Sequence, residues 1–64
     1  MSPFTWGDAV RVVTSAPAEY RPSSAASVVG MRLDPRAENA VLVLVEFGDG
    51  STVELPSTML QTGA

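Results

Sequence analysis

The chain contains no cysteine and no histidine. Without thiols, no disulfide can staple it and no thiolate can hold zinc. The missing imidazole removes the commonest general base, the commonest metal ligand and the usual pH switch together. Lysine is absent too, so the basic residues are Arg11, Arg21, Arg32 and Arg36 alone, and the net charge is −3. Nucleic-acid binding needs a basic stripe to displace counterions from phosphates. Four scattered arginines in an acidic chain do not supply one, so no nucleic-acid partner is expected. An acidic balance suits either a plainly solvated surface or a partner that is itself basic. Long apolar runs are also missing. The longest, Ala40 to Val45, falls far short of the ~20 residues of a spanning helix. The opening MSPFTWGDAV has neither the basic nor the apolar region of a signal peptide. A cytoplasmic location with no membrane partner is therefore expected.

What is present is a globular composition. Of 64 residues, 45% are hydrophobic and 17% charged, which is too apolar for a disordered chain. Residues 1–64 read as a single small domain. At this size folding buries only about 60% of the unfolded chain's surface, so the core must be thin and efficient.

The pattern along the chain predicts strands. Ala9 to Thr14 follows a turn at Gly7-Asp8, with Val10 and Val12 on one face. Residues 15 to 25 contain Pro17 and Pro22 and read as an irregular loop with room for one helical turn at most. Ala26 to Leu33 is a second strand. Gly30 in its interior predicts a bulge, a bend or a close backbone. Asp34-Pro35 to Asn39 is a polar turn. AVLVLVEF and STVEL form a third and a fourth strand, and Pro56 should stop the pairing. PSTML can make a tight helical turn, and LQT a last strand. This order predicts an all-β fold, a small five-stranded SH3-like barrel with a short helical turn before the last strand, closure being one way to remove exposed edges.

FGDGSTVELP, residues 47 to 56, is either a ligand loop or a hairpin. A phosphate loop wants a following helix and usually a lysine. A calcium loop wants alternating acidic ligands and a distal glutamate. Here a strand follows and Asp49 stands alone, so the hairpin reading is preferred. Asp49-Gly50 is its turn signal, because both residues tolerate positive φ. Val43, Val45, Phe47, Val53 and Leu55 then face the core, and Glu46, Thr52 and Glu54 face water. A slip of one residue would bury the glutamates.

Leu42 and Leu44 lie on the outer face of the third strand, which should be polar. Either Phe4 and Trp6 of the N-terminal arm fold over them, with Trp6 as a lid, or they form an exposed apolar stripe for a partner or a second copy. Trp6, Tyr20 and Arg21 are further anchors, since Trp, Tyr and Arg dominate interface hot spots. No serine has a histidine or lysine to activate it, and the carboxylates are dispersed over turns and strand faces. No enzyme activity, cofactor or metal site is expected.

FTWGDAVRVVTSAP, YRPSSAASVVGM and VLVEFGDGSTVELPSTMLQTG together resemble the immunity protein 31 family of bacterial polymorphic-toxin systems. The likeness spans nearly the whole chain. It is carried by Phe4 before the first strand, by VRVV running to Ser15 and Pro17, by SVVG, and by Leu60 followed by Thr62 and Gly63. It implies a small β protein that binds and neutralises a cognate toxin. Similar strings occur in KOW-type and Tudor-like barrels and in the β subunit of nitrile hydratase. The chain departs from such barrels at Ser23, Ser24, Ala25 and Ala26, where they often carry glycines. The expected partner-binding residues are Tyr20, Arg21, Leu42, Leu44, Glu46 and Glu54, with a homodimer through the strand of Leu42 and Leu44 as a further possibility. An RNA- or peptide-binding module and an accessory structural subunit are the alternatives.

Overall fold

The computed structural model describes residues 4–38 and 40–63. Asn39, the expected end of the polar turn, and the first residues of the signal-peptide reading lie outside them. The fold is all-β, with strands β1 (Ala9–Val12), β2 (Ala25–Leu33), β3 (Val41–Phe47), β4 (Thr52–Pro56) and β5 (Leu60–Thr62). They form one antiparallel sheet in the order β4-β3-β2-β1-β5. Single 3-10 turns occur at Ala18–Tyr20 and Ser57–Met59. The expected closure into a barrel is not made. No ladder joins β4 to β5, which remain the two edges, although the Ser57–Met59 turn between them lies against β3. None of the described helices is long and apolar enough to cross a membrane.

One face of the sheet carries the core. Val10, Val12, Val28, Val43, Val45 and Leu55 are the largest fully buried side chains. Phe4, Phe47 and Leu60 complete the cluster, while Val41, Val53, Met31 and Tyr20 pack against it half-buried. β-Branched valine fits this role because it packs well on a pleated surface. Among the described residues, no buried side-chain nitrogen or oxygen lacks a hydrogen-bond partner.

The first strand ends earlier than expected, at Val12 rather than Thr14. The chain turns there, with Ala16 N–H donating to the Val13 carbonyl, and Ala16 tucks into the core. Pro56 closes β4 from within, opposite Leu42, rather than lying beyond the ladder. Phe47 N–H donates to the Ser51 carbonyl at 2.9 Å. Alternation from that pair turns the ring nitrogen of Pro56 toward the free edge, where no donor is required.

Gly30 does mark a bulge, since the β2–β3 register shifts between Val28 and Gly30. The extra residue inverts the alternation of β2. Ala26 and Val28 face the core opposite Phe47 and Val45, whereas beyond the bulge Met31 lies opposite Val43 and Arg32 opposite Leu42. Without that inversion, Arg32 would share the inner face with Val28. The bulge therefore decides where a guanidinium goes.

Candidate functional site

The hairpin tip and the long β1–β2 loop are latched together. Phe47 to Ser51 makes a three-residue loop: Gly50 N–H donates to the Phe47 carbonyl at 3.0 Å, and Gly50 takes φ 87°. Of the two residues that tolerate positive φ, Gly50 alone takes it in this loop. Asp49 is free to act through its side chain. Its Oδ1 accepts from Ser51 N–H at 3.0 Å and from the Ser51 hydroxyl at 2.6 Å. Its Oδ2 accepts from Arg21 Nη2 at 3.1 Å, and Arg21 Nη1 donates to the Ser51 hydroxyl at 2.7 Å. The Arg21 guanidinium also lies over the Phe47 ring, 4.4 Å from its centroid.

Arg21 has left-handed backbone, with φ 58° and ψ 64°, and Ser23 has φ 70°. Such conformations are uncommon outside glycine and persist only where the surroundings hold them. Here Ser23 N–H donates to the Val12 carbonyl at 2.9 Å, and Arg11 Nη1 reaches the Ser23 carbonyl at 2.7 Å. Tyr20 is half-buried beside this latch.

The outer face of the sheet is organised by a second ion pair. Arg32 on β2 and Glu54 on β4 flank β3. Nε donates to Oε2 and Nη2 to Oε1, both at 2.8 Å. A bidentate pair of this kind is well directed. Because β3 lies between them, the paired side chains pass over Leu42 and Leu44. Leu42 is only 5% exposed and Leu44 half-buried. Phe4 and Trp6 do not cover the leucines, contrary to one expectation: Phe4 lies in the inner core and Trp6 is 73% exposed, so it is no lid. Nor do the leucines form an open stripe. β3 is an interior strand, so a second copy docking on it would have to displace the Arg32–Glu54 pair.

The six expected contact residues therefore fall into three positions. Tyr20 and Arg21 belong to the latch. Leu42, Leu44 and Glu54 lie around the Arg32 pair. Glu46 stands exposed on the outer face, one row closer to the hairpin tip, between Ser27 and Thr52. Sequence reasoning missed Arg32, whose face depends on the bulge. It also read Asp49 only as half of the Asp-Gly turn signal, although an aspartate two residues before a serine is itself a turn-locking signal. Among the described residues no pocket forms, and no three metal-capable side chains cluster. What the molecule offers is a broad surface.

Both latched carboxylates are held below the ordinary carboxylate range. For Asp49 the Ser51 hydroxyl is the main cause, followed by Arg21 and the Ser51 N–H. For Glu54 it is the hydrogen bond from Arg32. The same bond raises the Arg32 guanidinium. A carboxylate lowered on folding adds stability above the ordinary value of about 4, and that stability is lost as pH falls through the lowered value. Both pairs are solvent-exposed, so the effect is modest. Unfolding by urea should show wild-type stability falling between pH 5 and acid, and a double variant Asp49→Asn, Glu54→Gln should fall less steeply (estimated onset ~pH 4). Parallel profiles would refute this origin of the acid sensitivity.

The Arg32–Glu54 pair on the outer face, the latched tip and the valine core define a small all-β domain with no pocket among the described residues. Comparison with known proteins adds no relative: no family model matches the chain, and no curated protein or solved structure does either.

Proposed function

We propose that this chain is a cytoplasmic binding protein that neutralises a cognate bacterial toxin by direct contact and catalyses nothing itself. The observation that supports it most is the distribution of free charge. All four guanidinium groups are engaged within the fold: Arg11 on the Ser23 carbonyl, Arg21 on Asp49, Arg32 on Glu54 and Arg36 on Asp34. The side chains of Glu19, Glu38 and Glu46 are exposed and make no hydrogen bond or ion pair among the described residues. The charge left for a partner is therefore negative. Complementary potentials speed encounter and suppress wrong partners, so a basic protein surface is the fitting target. The resemblance of the sequence to an immunity-protein family supplies the kind of partner.

The RNA-binding alternative needs its arginines gathered beside aromatics on one face. Here each is committed to a different place. Co-expression with the product of the neighbouring gene, followed by affinity capture, is expected to recover a stable complex and to relieve that product's toxicity. Recovery of no partner, or salt-dependent RNA binding by the isolated chain, would sink the proposal.

A further inference from the structure

Among the described residues, Trp6 and Leu33 are the large apolar side chains left in water. Trp6 is the more telling, because the turn that displays it is held from every side. The Asp8 carboxylate accepts from Thr5 N–H at 2.9 Å and from the Thr5 hydroxyl at 3.0 Å. Asp8 N–H donates to the Thr5 carbonyl at 3.1 Å, Gly7 N–H to the Val28 carbonyl at 2.8 Å, and Val28 N–H to the Asp8 carbonyl at 3.0 Å. Gly7 supplies the φ of 86° that the bend requires. Phe4, buried in the core, pins the chain on the other side. An indole fixed outward in this way binds with little ordering cost, and tryptophan is enriched at interface hot spots.

A row of outer-face residues starts beside this turn. Ala9, Ser27 and Glu46 lie opposite one another across β1, β2 and β3. With strands ~4.8 Å apart, the Glu46 Cα is about 10 Å from that of Ala9. Ala9 and Ser27 are exposed and small, so no tall side chain on that row separates the turn from the carboxylate. Glu46 is one of the carboxylates without an internal partner.

The geometry points to Trp6 and Glu46 as the two parts of one docking face for a cationic protein surface. The indole face takes an arginine or lysine side chain, and Glu46 pairs with a second cation. The chain's own guanidiniums are all engaged, so none competes for these groups. This deepens the toxin-neutralising reading and rests on it for the partner's being a protein.

Trp6 is the chain's sole tryptophan, so its emission reports on this face directly. An arginine octapeptide at low ionic strength is expected to change that emission saturably, and a glutamate octapeptide to leave it unchanged. By amide NMR shifts, Trp6→Ala should weaken the arginine peptide at least about tenfold, equivalent to about 1.4 kcal/mol. Glu46→Gln should weaken it about threefold, with the difference fading in high salt. Both residues are exposed, and Glu46→Gln carries the test if Trp6→Ala does not fold. No saturable binding, or shifts gathered around Glu19 or Glu38 in place of Trp6, would overturn the inference. If the neighbouring gene's product is captured with undiminished affinity by both variants, this face is wrong while the toxin-neutralising reading stands. If the peptide binds at Trp6 but no product is captured, the reverse holds.

Discussion

Replacing Leu55 by alanine is expected to remove most of the stability of the fold. Leu55 is completely buried on β4, opposite Val43, in the centre of the core. Truncating a buried leucine costs about 2–5 kcal/mol, the loss of transfer energy adding to the cavity left behind. Total stability follows from size: at ~0.05–0.15 kcal/mol per residue, a chain this short holds about 3–10 kcal/mol. No disulfide supplements it. The melting temperature, followed by circular dichroism, should drop by at least about 10 °C, since each kcal/mol shifts a domain of this size ~4–8 °C. Urea unfolding should show a lower midpoint in step with it. A drop of only a few degrees would mean that the neighbouring valines collapse into the space, and that the core is looser than its burial indicates.

Gly63→Ala is expected to act at the opposite edge of the sheet, through backbone. A Cβ at position 63 would lie 3.0 Å from the carbonyl carbon of Ala9 and 3.0 Å from the nitrogen of Val10. Main-chain atoms cannot swing aside as a flexible side chain does. The substitution must push β5 away from β1 and strain the Gly63 N–H bond to the Ala9 carbonyl, now 2.9 Å. Overpacking of this kind costs about 1–3 kcal/mol. Gly48→Ala is the matched control: no atom lies within 4 Å of its added Cβ, and its φ is not positive. The Gly63 variant should unfold at clearly lower urea and exchange its β5 amides faster, and the Gly48 variant should behave like wild type. Equal midpoints for the two would refute the close-approach argument.

Much of the fold was legible because strand periodicity is short-range. Val43, Val45, Phe47 and Leu55 alternate with Glu46, Thr52 and Glu54, and only one register keeps the first set dry and the second wet. The bulge at Gly30, the 3-10 turn after Pro56 and the final short strand were legible for similar local reasons. Barrel closure was not. It depends on whether two edges meet in space, and local pattern does not specify that. Nor was the choice between a covered and an exposed Trp6. A tryptophan reads as a core residue by composition, yet the Thr5–Asp8 bonds turn this one outward.

The candidate site was the least legible part, and the reason is physical. Hydrophobic alternation assigns a face, but it does not say whether a charge on that face is free. Arg32 meets Glu54 from 22 residues away, and Arg21 meets Asp49 from 28. By itself the sequence determined the succession of strands along the chain, the inner face and the scarcity of cations, because these follow from residue type and a period of two. Only the tertiary structure decided that the outer leucines are roofed by an ion pair, that every arginine is engaged, and that Trp6 and Glu46 stay available. Those outcomes depend on which side chains the folded sheet brings within reach of one another.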